Sequence, residues 1–222
     1  MKSIIQANLP HLQQRMAQAA QRAHRDPADV TLLLVTKMVG LDAVQALYDL
    51  GFRAMGENRP DVAKPKIEAM PDDIRWHMIG SIQRRKAKDI VRLFDRIDSV
   101  DRLELAEELE KRCAEIDKSL EILLQVNVSG EDVKHGFTPN LLSDTLKTVQ
   151  SHPHLNTVGL MTMAPLEATE NDVRSYFREL KHLADDNGLH VLSMGMTQDF
   201  EIAIEEGATE IRIGTALYQP PE

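Results

Sequence analysis

The segment Val30–Lys37, VTLLLVTK, decides how the chain is read. Its unbroken run of apolar and β-branched residues carries no helical period and has the length of one strand buried on both faces. The run ends on a lysine. Lys37 then has two readings: a strand terminator whose ammonium snorkels to solvent, or an amine nucleophile in a partly apolar pocket, able to make a Schiff base with an aldehyde.

Outward from this segment the pattern repeats. LDAVQALYDLG predicts a helix with an apolar stripe at Leu41, Val44, Leu47 and Tyr48, with Gly51 at its C-terminal end. Further strands are expected in FRAMGEN (52–58), RWHMIG (75–80), RIDSV (96–100), LEILLQVNV (120–128), NTVGLMTM (156–163), HVLSMG (190–195) and EIRIGTAL (210–217), with helical stretches between them. Asp101 is placed to cap the helix after RIDSV. The polar stretch from Ser129 to Pro139 is too long for a tight connection and is a candidate functional loop. About eight strands alternating with helices imply parallel pairing through right-handed crossovers, and hence an α/β fold, a single (β/α)8 TIM barrel. An open doubly wound sheet is the alternative, but no G-x-G-x-x-G turn follows the first strand. Residues 1–26 form an extra leading helix, amphipathic through Ile4, Ile5, Leu9, Leu12, Met16 and Ala19. One domain, residues 1–222, is expected.

A net charge of −9 argues against a nucleic-acid partner. The lone cysteine, Cys113, has no partner for a disulfide or a metal site, which fits a reducing cytoplasm. No run reads as a signal peptide or a membrane span.

In a barrel the C-terminal strand ends form one ring. The polar residues expected there are Lys37, Asn58, His77, Ser99, Asn127, Ser193 and Arg212. His77, beside Trp76 and Met78, reads as a satisfied core histidine or as a pocket residue. Asn127 either closes its strand with a side-chain turn or faces the site. SMGMT (193–197) and RIGT (212–215) place Gly195 and Gly214 among hydroxyl residues at the last two strand ends, where barrels commonly bind phosphate. Both glycines could instead make only tight corners. Closure sets strands seven and eight beside strand one, so a lysine amine would neighbour a phosphate seat. Pyridoxal 5′-phosphate requires both, and so do class I aldolases acting on sugar phosphates.

These motifs carry a resemblance. LLLVTK, GFRAMGEN, RWHMIGSIQ, DSVDRLELAEEL, LLQVNVSGEDVKHGF, GLMTM and LSMGMTQDFEIAIEEGATEIRIGTALY stand in order along nearly the whole chain. The chain resembles the YggS/PROSC type of pyridoxal phosphate homeostasis protein, itself similar to the barrel domain of alanine racemases. The resemblance implies that Lys37 holds the cofactor covalently and that Ser193, Gly195, Thr197, Gly214 and Thr215 hold its phosphate. It further implies that Arg212 faces the pyridine nitrogen and that Asn58 and His77 line the ring's pocket. This sequence departs from the pattern at Met38, Val39 and Gly40, where threonine, lysine and proline are usual, at Arg59 after GEN, and at Arg85 within Arg84–Lys86.

A guanidinium is donor-only, so Arg212 would pair with an unprotonated ring nitrogen and weaken carbanion stabilisation. Alanine racemases share that arrangement but add a tyrosine from a second domain and partner subunit. This chain ends after its last strand, and Tyr48, Tyr176 and Tyr218 are not expected near the site. A non-catalytic carrier or buffer in intracellular pyridoxal phosphate homeostasis is therefore expected, without a metal, serving apo-enzymes that need the cofactor, and the resemblance implies a monomer. A racemase-like enzyme is the alternative.

Overall fold

The computed structural model describes residues 1–131 and 135–220. The leading helix α1 (Lys2–Arg22) is followed by β1 (Thr31–Val35), α2 (Leu41–Asp49), β2 (Ala54–Glu57), α3 (Pro60–Ala69), β3 (Arg75–Met78) and α4 (Ala87–Leu93). Next come β4 (Arg96–Val100), α5 (Leu103–Ala114), β5 (Leu120–Gln125), α6 (Leu142–Gln150) and β6 (Leu155–Met161). The chain continues through α7 (Glu170–Asp186), β7 (Val191–Ser193), α8 (Phe200–Glu205), β8 (Glu210–Ile213) and α9 (Thr215–Tyr218). The strands pair in parallel, in sequence order, and β8 returns to β1 with Leu33 opposite Arg212 and Leu34 opposite Ile213. This is the closed (β/α)8 barrel expected from the alternation.

The helices attach through apolar faces. α7 buries Val173, Phe177, Leu180 and Ala184 at helical spacing, starts from a Thr169–Asp172 capping box, and stops where Gly188 takes a positive φ. α1 buries Ile5, Leu12, Met16, Ala19 and Ala20, so its stripe was legible, although it ends at Arg22. It straps α8 through Arg15–Glu201 and Arg22–Glu205, and Asn8 donates to the carbonyls of Leu217 and Gln219. Cys113 is fully buried on α5, and burial pushes its thiol up to about 11, so it stays protonated at neutral pH. No helix among the described residues is long and apolar enough to cross a membrane.

Two local expectations are corrected. Lys37 is not the last residue of β1, because the ladder stops at Val35 and the chain turns through Thr36–Val39. Asp101 does not cap α5: Arg102 occupies that position, and the Asp101 carboxylate pairs with Arg102 and lies 3.4 Å from His135 Nδ1. Part of the Ser129–Pro139 loop, residues 132–134, falls outside the described residues. Asn127 does close its strand with a turn, its amide nitrogen donating to the Glu131 carbonyl while its side-chain oxygen accepts from Ser129 and Gly130.

The barrel interior is charged where large aliphatic side chains are usual. Arg96 on β4 donates to both carboxylate oxygens of Asp98 (2.7 and 3.0 Å) and spans the lumen to Glu210 on β8 (2.6 Å). His77 Nδ1 stands 3.6 Å from Asp98 and 3.9 Å from Glu210. Above them Arg212 donates to Ser193 Oγ (2.9 Å) and to the Thr162 carbonyl (2.8 Å). Burial alone would push the Asp98 carboxyl up. The nearby His77 and the charge and hydrogen bonds of Arg96 overcome it and hold the group well below the usual carboxylate range.

A carboxyl whose folded-state pKa is depressed contributes stability in full above its unfolded value, about 3.9, and loses it as pH falls toward the folded value. Asp98→Asn leaves Arg96 short of a charge partner and is expected to cost about 3–5 kcal/mol at pH 7. In urea unfolding followed by circular dichroism at pH 7 and pH 3, the gap between wild type and variant should narrow at the lower pH. A gap that stays constant or widens would refute this account of Asp98.

Candidate functional site

One large cavity, about 890 Å³, opens at the C-terminal strand ends. Its volume lies in the range of small-molecule and cofactor sites. Among the described residues it is eccentric, drawing on the connections after β1, β2, β3, β6, β7 and β8 but not on those after β4 and β5. A smaller chamber, about 180 Å³, lies on that other side, lined by Ser81, Gln125, Val126, Asn127, His135, Thr162 and Met163. Met163 borders both.

Lys37 lies on the wall of the large cavity. The Val39 amide donates to the Thr36 carbonyl (3.1 Å), so Lys37 occupies the first corner of a four-residue turn. Its side chain is exposed and makes no hydrogen bond or ion pair among the described residues. The rim beside it is apolar, with Met38 84% and Leu166 85% exposed.

The β8 corner is pressed against the strand that carries Lys37. A Cβ on Gly214 would lie 3.2 Å from the Val35 carbonyl oxygen and 3.3 Å from Val35 Cβ, so the missing side chain permits that approach. Thr215 follows and lines the cavity. The β7 corner depends on Gly195 at φ +94°, where an added Cβ would lie 2.5 Å from Ala203 Cβ and 3.0 Å from Phe200 Cα. The chain then turns, with Asp199 Oδ1 accepting from the Met196 amide at 2.6 Å, and presents Thr197 to the cavity. Burial pushes the Asp199 carboxyl up, against the lowering effect of that hydrogen bond and of Arg212. SMGMT therefore does not open directly into a helix, since α8 starts only at Phe200.

Of the residues picked out in the sequence, Lys37, Asn58, Thr197, Arg212, Gly214 and Thr215 line this cavity. His77, Ser193 and Gly195 do not. His77 is buried below, among Asp98, Glu210 and Arg96, because alternation on β3 turns it into the lumen beneath the mouth. Ser193 is fully buried, its hydroxyl holding Arg212. The basic run Arg84–Lys86 forms an exposed turn whose first residue pairs with Glu108, away from the cavity. Tyr218 was missed: it lines the cavity, and burial followed by the charge of Glu57 raises its phenol and holds it protonated. Its place at the end of the chain concealed it, since only barrel closure brings that end against β1.

A family model described as alanine racemase, N-terminal domain, matches residues 7–220. The pyridoxal phosphate homeostasis protein of Aquifex aeolicus is 38% identical over 217 residues, covering 95% of this chain and 95% of its own. That of Pseudomonas aeruginosa is 40% identical over 219 residues, covering 97% and 95%. The chain belongs to the pyridoxal phosphate homeostasis proteins of that family. A family member of known structure, PipY of Synechococcus elongatus with pyridoxal phosphate bound, superposes with a TM-score of 0.80 at 33% identity, over 92% of this chain and 100% of that one. An alanine racemase of Clostridium difficile shares the fold, with a TM-score of 0.75 at 13% identity, over 99% of this chain and 58% of that one.

The β7 corner of this family member yields a direct check. Gly195→Ala must place a side chain at positive φ and against Ala203, a strain on the order of 2 kcal/mol. Thermal unfolding should show that loss. A variant as stable as wild type would mean that the corner relaxes freely.

Proposed function

We propose that this protein is a non-catalytic carrier of pyridoxal 5′-phosphate, holding the cofactor as a Schiff base on Lys37 and releasing it to apo-enzymes that require it. The observation that carries this reading is the Lys37 amine, without a partner among the described residues, on the wall of a cavity that Arg212, Thr197, Gly214 and Thr215 also line. The donor set fits the group: an amine for the aldehyde, hydroxyls and a side-chain-free corner for the phosphate, and a guanidinium for the ring nitrogen. The names of the relatives and the cofactor bound in PipY support the same reading.

In this reading Thr197, Gly214 and Thr215 hold the phosphate and Asn58 lies against the ring. Ser193 acts indirectly by fixing Arg212. A Schiff base suits a carrier because it is covalent and reversible. Arg212 is fixed by two hydrogen bonds on the cavity floor and can only donate, so it favours an unprotonated pyridine nitrogen and a weak electron sink. Proton transfer on an amino acid would also need a second group on the opposite face. Tyr218 lines the cavity, yet its hydroxyl is buried without a hydrogen-bond partner among the described residues and its ionisation is opposed. Its position is nonetheless the feature that favours the second reading, a racemase-like enzyme.

The test is the near-visible spectrum of protein reconstituted with pyridoxal 5′-phosphate, wild type against Lys37→Ala, before and after borohydride. A band that reduction shifts and the variant lacks is expected, together with no sustained amino-acid turnover by wild type. A band indifferent to Lys37→Ala would overturn the covalent assignment, and turnover that depends on Lys37 would replace the carrier by the enzyme.

A further inference from the structure

The Lys37 turn is supported from behind by a buried ion pair. Glu57, the last residue of β2, is fully buried, and Lys66, on the inner face of α3, is 7% exposed. The Lys66 ammonium donates to Glu57 Oε1 at 2.7 Å and to the Thr36 carbonyl at 2.8 Å. Thr36 is itself fully buried, and its hydroxyl donates to the same Glu57 oxygen at 2.7 Å. The Thr36 carbonyl and the Lys37 amide form one peptide group. Its oxygen therefore accepts twice, from the Val39 amide that closes the turn and from the Lys66 ammonium.

Stability alone does not account for this arrangement. Removing two charges from water costs several kcal/mol per ion, and apolar replacements for buried pairs are often neutral or stabilising. The backbone explains the position better. The β1 ladder ends at Val35, and beyond it the Thr36 amide still reaches the Gly56 carbonyl while the Thr36 carbonyl lies outside the ladder. A lysine held by a carboxylate supplies a strong, directed donor at that point. The pair also acts on the cavity, because Glu57's charge is one of the two causes that keep the wall residue Tyr218 protonated.

We propose that Lys66, held in place by Glu57, is a positioning residue for Lys37: by clamping the Thr36 carbonyl it sets the direction in which the Lys37 side chain leaves the barrel rim and enters the cavity. The inference rests on the Lys37 reading above and adds the groups that aim the amine. Without the clamp the Thr36–Val39 turn keeps one hydrogen bond and gains freedom to rotate its first peptide, so the amine spends less time where the Schiff base is unstrained.

The test compares wild type with two variants after reconstitution with pyridoxal 5′-phosphate. Lys66→Met combined with Glu57→Gln leaves no unpaired buried charge. Lys66→Arg keeps the charge opposite Glu57 but replaces a point donor by a planar fork. Melting temperature, near-visible spectrum and the rate of cofactor release on dilution are read for each. The double variant should release cofactor about tenfold faster or more, the scale of a lost hydrogen bond to a charged donor. Its band intensity at equal cofactor should fall, and Lys66→Arg should move in the same direction by less. Should the double variant fail to fold, Lys66→Arg decides. Wild-type release and an unchanged band in a folded variant would overturn the inference. A wild-type band indifferent to Lys37→Ala would instead remove the Lys37 reading and this inference with it, so the two failures are distinguishable.

Discussion

The Arg96 guanidinium joins opposite sides of the barrel, and the floor of the cavity depends on it. From β4 it reaches Asp98 on its own strand and Glu210 on β8, with no solvent to share the load. Two arginines, Arg96 and Arg212, balance two carboxylates, Asp98 and Glu210, so the lumen encloses charge without net charge apart from His77. Such a layer is tolerable only when the geometry is good and the remaining donors are satisfied. That requirement fixes β4 and β8 relative to each other across the lumen, and β8 carries both Glu210 below and Arg212 above. One strand thus anchors the floor and presents the guanidinium that faces the cavity.

From the floor upward, closure does the assembling. β1 and β8 are the ends of the sheet in sequence and neighbours in the ring, so the Lys37 turn, the Gly214–Thr215 corner and Tyr218 meet although they lie at opposite ends of the chain. Gly214 permits the approach to Val35, and Gly195 allows β7 to turn back toward the cavity. The leading helix adds a brace, since Asn8 holds the carbonyls of Leu217 and Gln219 around the end of α9. A segment outside the barrel therefore helps fix one wall of the mouth.

Much of this was legible in the sequence, for identifiable reasons. Buried parallel strands read as apolar runs and their helices as 3.6-residue stripes, so element order and barrel class followed from periodicity. Lys37, Thr197 and Thr215, which line the cavity, stand just past the ends of apolar runs. The depth of His77 and Ser193 was not legible: the sequence leaves His77 as a core histidine or a pocket residue and the resemblance sets both beside the cofactor, whereas their depth in the lumen depends on the stagger of the closed sheet, which no single strand encodes. The charged floor did leave a signal: Arg96 with Asp98, and Glu210 with Arg212, are spaced by two, which places each pair on one face of its strand. Charges inside runs otherwise apolar pointed to a lumen that had to be electrostatically closed. Lys66 left none, because a lysine on an amphipathic helix looks solvated until its helix is docked.

The two buried charge clusters differ in place but share one property. One lies inside the barrel, where Arg96 joins Asp98 to Glu210 beneath Arg212; the other lies outside it, between β2 and α3, and ends on the Thr36 carbonyl. The first lies beneath the cavity-lining Arg212, and the second reaches the peptide that leads into the cavity-lining Lys37. Apolar packing would hold the same elements at less desolvation cost. In the proposed reading, direction accounts for the second pair, which orients the peptide from which the amine departs, while Arg212 is itself held by Ser193 and the Thr162 carbonyl. On the proposed carrier reading, a binder that retains its ligand through one reversible covalent bond needs its amine held still more than it needs groups that move protons, and the Lys66–Glu57 pair is arranged to hold it.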